Sequence, residues 1–112
     1  MNPGEVTDAH SVVLDHEPAD QVAAGSPTTG VAELVDGVGI WEITPGTVRD
    51  TEIDEVFVVI SGRATVEFEG LPSIELRPGS VVRLSAGMRT TWIVHETLRK
   101  VYVDISDRLN GG

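Results

Sequence analysis

From residue 31 onward, apolar and polar positions alternate in short runs, each closed by turn-forming residues. The runs fall at 31–35, 39–44, 55–60, 63–69, 74–76, 81–84, 91–95 and 99–105. β-Branched and aromatic residues fill them, and Asp36-Gly37, Pro45-Gly46, Ser61-Gly62, Gly70 with Pro72, Pro78-Gly79 and Ala86-Gly87 separate them. No stretch carries a helical period long enough to cover a sheet, which excludes parallel βαβ architecture and predicts an all-β sandwich or barrel. Residues 1–24 are predicted to form an irregular arm, with 11–14 (SVVL) as a short edge strand and 21–24 as a brief helical turn. SPTTG at 26–30 reads as a turn. The barrel domain is expected over 25–107, followed by a tail at 108–112 that frays at Asn110-Gly111-Gly112.

The run at 55–62, EVFVVISG, is the most constrained. Period two puts Glu55, Phe57 and Val59 on one face and Val56, Val58 and Ile60 on the other, so Glu55 is the one polar group on either face. A carboxylate there costs free energy unless it is paired or reaches water.

Composition narrows the partners. The chain of 112 residues has a net charge of −10, and no Lys or Arg precedes Arg49. Such a surface repels phosphate backbones and anionic lipid headgroups, so neither a nucleic-acid nor a membrane partner is expected. With no cysteine, neither a disulfide framework nor a thiolate metal site can form. No apolar run approaches a membrane span and residues 1–10 lack signal-peptide features, which points to a cytoplasmic location.

The order of these elements resembles the cupin superfamily. Its first signature ends in a Glu, six residues and a Gly, matched by Glu55 and Gly62 behind Pro45-Gly46. Its second is matched by RPGSVVRLSAGMRTTWIVHETLRKVYV at 77–103. Trp41-Glu42, Ala86-Gly87-Met88 before Thr91-Trp92, and Arg99-Lys100 before Tyr102 are similar to the small cupins related to ureidoglycine aminohydrolase and ethanolamine-utilisation cupins. The resemblance implies a single-domain jelly-roll β-barrel, or double-stranded β-helix.

Metal cupins use three His and one Glu to hold Mn, Fe, Ni or Zn. On this chain the Glu position is Glu55. The His positions fall on Val48 and Asp50 (or Arg49 and Thr51) and on Thr90, with Ser85 in place of the usual Pro. Since all three histidines are missing, no transition metal and no other cofactor is expected. An oxygen-ligand site for a hard cation at Asp50, Glu55 and Thr90, with Glu52 beside them, is the alternative. His10 and His16 lie in the arm and His95 near a strand end, and all three read as exposed residues rather than ligands.

Without a metal, the barrel interior is a candidate small-molecule pocket. Glu55, Phe57, Thr90, Trp92, Arg83, Lys100, Tyr102 and Trp41 are its candidate lining residues, and Glu55 is the candidate catalytic group. Glu55 is expected to pair with Lys100 or Arg83. The plainer reading makes Trp41, Trp92 and Phe57 core aromatics, with Arg83 and Lys100 reaching solvent. Three functions remain open: a small-molecule-binding cupin recognising an amino, ureido or carboxylate compound; an aminohydrolase- or isomerase-type enzyme on a small nitrogenous metabolite; and a non-catalytic homodimeric module. A homodimer is expected in any case, since such barrels protect their edge strands by pairing.

Overall fold

Two long strands, β6 (Glu55–Phe68) and β9 (Arg89–Asp104), run antiparallel along most of their length and form the spine of the molecule. The computed structural model describes the backbone of residues 1–110 and the side chains of residues 1–108. β4 (Val38–Ile43) and β5 (Gly46–Thr51) pair in succession with the free edge of β9. β3 (Thr28–Val35) adds to β4, β1 (His16–Pro18) to β3, and β2 (Val22–Ala24) to β5. On the other side of β6 lie β8 (Val81–Leu84), opposite its first residues, and β7 (Leu71–Leu76), opposite its last. The result is a curled all-β sheet, followed by the short helix α1 (Ser106–Asn110).

The inner face is the apolar face that the alternation predicts. Phe57, Val59, Val66, Leu84, Val94 and Leu98 are all buried in one cluster. The alternation changes phase inside β6, because the buried residues are Phe57 and Val59 before Ser61 but Ala64 and Val66 after it. The sequence places a turn at Ser61-Gly62. Instead the chain continues, the register with β9 shifts on either side of Ser61, and Gly62 sits at φ +88°. This bulge inserts the residue that returns apolar side chains to the interior. Glycine is required there because a Cβ would collide with the Thr97 carbonyl oxygen and the Leu98 Cα.

Other boundaries also differ from the sequence expectation. The runs at 91–95 and 99–105 join into one strand because both pair continuously with β6. Residues 46–51, which fall between the alternating runs, form β5 because β9 offers a free edge opposite them. Residues 22–24 are a strand on β5 rather than a helical turn, and 11–14 remain outside the sheet while His16–Pro18 enters it. The predicted turn at 26–30 runs into β3 from Thr28. The irregular part of the arm therefore ends near Asp15, since backbone partners are available to the residues beyond it. The backbone from 106 to 110 is helical, and the frayed end expected at Gly111-Gly112 lies outside the described residues.

The arm crosses the outer face of β4 and β9. Buried Arg99 donates from Nη1 to the carbonyls of Ala9, His10 and Val12 at 2.9, 3.3 and 2.8 Å. Its Nε donates to Glu42 at 3.0 Å, and His16 Nε2 lies 2.6 Å from the other oxygen of that carboxylate. Burial works against the charge on Glu42, but the hydrogen bonds and charges of Arg99 and His16 outweigh it and hold this carboxyl below its usual range.

Two stability predictions follow from these contacts. Gly62→Ala should lower the urea-unfolding free energy by about 2 kcal/mol or more, through the lost left-handed backbone and the clash with Thr97. Because the Glu42 pKa is depressed in the folded state, its contribution is present above the ordinary carboxyl value and fades as pH falls through the lowered one. Glu42→Gln should therefore be less stable than the parent near neutrality, with the difference in urea midpoint closing below about pH 4.

Candidate functional site

β4, β6 and β9 bring four candidate side chains around one charge. Lys100 is paired with Trp41 across β4–β9 and with Val59 across β6–β9, so its side chain rises from the inner face between the two neighbouring strands. Its Nζ donates to Glu55 Oε2 at 2.7 Å. Both side chains are close to nine-tenths buried, at 8% and 11% exposure. The ammonium lies 4.3 Å from the Phe57 ring centroid, 4.8 Å from Trp41 and 5.2 Å from Trp92. The rings brace each other: Trp41 and Trp92 meet edge-on at 5.7 Å, and Phe57 and Trp92 are tilted at 5.8 Å. The carboxylate supplies the countercharge and the rings supply negative faces, which together offset desolvation of the lysine.

A second network sits beside the first. Glu52 lies in the link between β5 and β6 and is held at both backbone groups: its N–H donates to Met88 O at 2.8 Å, and its carbonyl accepts from Gly87 N at 3.0 Å. Its Oε2 accepts from Thr90 Oγ1 at 2.6 Å and from Trp92 Nε1 at 3.0 Å. Trp92 thus belongs to both networks, one through its ring face and one through its indole N–H.

These groups open on a cavity of about 290 Å³ lined by Trp41, Asp50, Glu52, Glu55, Lys100 and Tyr102, with Val31 and Ile53 at its rim. Among the described residues, neither Glu52 Oε1 nor Glu55 Oε1 has a protein hydrogen-bond partner, although both residues are buried. Burial first, and then the charge on Glu52, push the Asp50 carboxyl above its usual range. Tyr102 is also raised, by burial and by the carboxylates of Glu33, Glu55 and Asp104. Its ring lies against Gly39, where a Cβ would approach the hydroxyl to 2.5 Å.

Of the sequence candidates, Glu55, Phe57, Trp92, Lys100 and Trp41 form one cluster, Tyr102 lines the cavity, and Thr90 acts through Glu52. Arg83 does not belong to the site. It pairs with Val56, whose side chain faces away from Glu55, and it is exposed on the outside of β8. Lys100 takes the pairing role instead, because its face of β9 is the inner one. The sequence suggests Glu52 only as a neighbour in the oxygen-ligand cation site. Its role as acceptor for Thr90 and Trp92 depends on the backbone contacts at Gly87 and Met88, which leave no mark on local spacing.

The donor set does not suit the metal of metal-dependent cupins. Val48 is a buried core residue, Arg49 and Thr51 are exposed, Thr90 donates its hydroxyl to Glu52, and Glu55 is paired with an ammonium. The same commitments of Glu55 and Thr90 count against the oxygen site at Asp50, Glu55 and Thr90. Among the described residues no group of three or more His, Cys, Asp or Glu is placed to hold a metal ion. The histidines lie elsewhere: His16 clamps the arm, His95 contacts Thr65 at 2.9 Å, and His10 is exposed.

Comparison with known proteins agrees with this architecture. The family profile described as EutQ-like cupin domain matches residues 32–102. The EutQ protein of Clostridium difficile is similar with a TM-score of 0.61 and 21% identity, over 69% of this chain and 67% of that one. The Salmonella typhimurium LT2 protein assigned as ethanolamine utilization protein Q gives 0.62 and 23% identity, over 88% and 89%. A DUF861 family protein of unknown function from Pseudomonas syringae gives 0.71 and 22% identity, over 83% of this chain but only 44% of that one. No curated protein matches the chain. Among the described residues, no helix is long and apolar enough to cross a membrane.

Because the Glu52 charge is one cause of the raised Asp50 pKa, Glu52→Gln should move the Asp50 titration back toward the ordinary carboxyl range. Carboxyl ¹³C NMR across acidic pH measures this, and an unmoved Asp50 curve would leave burial and the Glu55 charge as the causes.

Proposed function

The chain belongs to the EutQ-like cupin family, and we propose that it binds a small polar metabolite with amino or ureido N–H groups at the barrel mouth, without a transition metal. One observation carries this reading: two buried carboxylates, Glu52 and Glu55, each direct one oxygen without a protein partner toward a cavity of about 290 Å³. These two oxygens stay accessible from the cavity, and a ligand that donates to them gains charge-assisted hydrogen bonds. With Asp50, three carboxylates face the single ammonium of Lys100 in this cavity. The excess of negative charge favours an amine or a urea over a free carboxylate, so the carboxylate option becomes the weakest of the three expected from sequence.

One feature supports an enzymatic version of the same site. Asp50 holds its proton more readily than an ordinary carboxyl and lies in one cavity with Glu52 and Glu55, a division of environments that suits acid–base chemistry. In that version Asp50 moves the proton and Glu52 and Glu55 orient the ligand. A homodimer belongs to the proposal as well, supported by the outer edge of β8, where Val81 is 69% exposed.

The test is a binding screen by thermal shift and calorimetry, with primary amines, ethanolamine among them because of the relatives' printed names, together with ureas and simple carboxylates. Amines or ureas should protect the protein and acetate should not. Asp50→Asn or Glu52→Gln should weaken the best probe by about tenfold or more. Preferential protection by acetate, or near-stoichiometric Mn, Fe, Ni or Zn in the purified protein, would overturn the proposal.

A further inference from the structure

Lys100 is the only lysine in the chain, and it is buried. Lysine is ordinarily a surface residue, because its ammonium is strongly hydrated and its stem is flexible. Here rings from three strands surround the ammonium: Trp41 from β4, Phe57 from β6 and Trp92 from β9, at 4.8, 4.3 and 5.2 Å. Glu55 completes the enclosure at 2.7 Å. Aromatic faces joined to a carboxylate around one ammonium are the arrangement by which proteins recognise free ammonium ligands. In this chain the ammonium arrives on the protein's own strand.

We propose that Trp41, Phe57, Trp92 and Glu55 constitute an ammonium-recognition site that Lys100 occupies in cis, and that accepts a small primary alkylammonium ion once the lysine side chain is removed. The charge balance of the site supports this. Without Lys100, Glu55 is left in an aromatic wall with no partner among the described residues, and the three ring faces lose their cation. Trp41, Glu55 and Lys100 also line the cavity at the mouth, so an external ion has a route to the vacated position. The cage uses Glu55 through Oε2, whereas the proposed cavity ligand concerns the free oxygens of Glu52 and Glu55 together with Asp50, so Glu55 is the carboxylate that the two sites share.

The decisive experiment is replacement of the missing atoms. Lys100→Ala keeps Cβ, and n-propylammonium supplies the equivalents of Cγ, Cδ, Cε and Nζ. The variant should melt below the parent and be restabilised saturably by n-propylammonium chloride, at concentrations about tenfold or more below any that shift the parent. Sodium chloride and 1-propanol should not substitute for it, and Lys100→Ala with Glu55→Gln should lose most of the response. Equal stabilisation by propanol, or equal responses of parent and variant, would overturn the proposal by reducing the effect to cavity filling or to the neighbouring site. If Lys100→Ala does not fold even with the amine present, selective ¹³C-lysine labelling of the unaltered protein decides. Its single ε-CH₂ signal should lie well upfield under the three ring currents, and an exposed-lysine position would refute the cage.

Discussion

The interior of this barrel is organised by a buried ion pair that can exist only if three strands are in register. Lys100 reaches Glu55 along β9 and β6, and the rings that shield its ammonium come from β4, β6 and β9. Removing either charged partner would leave the other desolvated, which typically costs about 3–5 kcal/mol. The pair therefore acts as a restraint on sheet geometry as well as a feature of the pocket. A slip of one residue in β4 or β6 would turn Trp41 or Phe57 away and leave the ammonium facing solvent or backbone.

That register depends on a backbone defect. The bulge at Ser61-Gly62 lets β6 remain paired with β9 at both ends while its apolar side chains stay inside on either side of the phase change. Tyr102 reaches the cavity wall by a related device, lying over Gly39, where a side chain would not fit. On the opposite face, Arg99 gathers three arm carbonyls and the Glu42 carboxylate, so consecutive residues Arg99 and Lys100 anchor the two sides of the sheet. The strand's period of two makes this division of labour possible.

At the mouth, hydrogen bonding divides three carboxylates into distinct roles. Glu55 balances a fixed cation, Glu52 holds Thr90 and Trp92 in place, and Asp50 stands at the edge with a raised affinity for its proton. Glu52 and Glu55 belong to buried residues whose second oxygen has no protein partner among the described residues, whereas Asp50 is the carboxyl whose proton is held more tightly than usual.

The amino-acid sequence by itself determined the all-β class, the turns at Asp36-Gly37 and Pro78-Gly79, the shared face of Glu55, Phe57 and Val59, and the loss of the three histidine ligands. Each is local: period two, turn chemistry and a fixed signature spacing are written into neighbouring residues. Only the tertiary structure decided between Arg83 and Lys100 as the partner of Glu55, because alternation shows which residues share a face but not which face turns inward. It also decided that Ser61-Gly62 is a bulge and that residues 46–51 are a strand, since both outcomes depend on what β9 offers across the sheet. The same holds for Glu52, whose position comes from backbone contacts with Gly87 and Met88, more than thirty residues away in the chain.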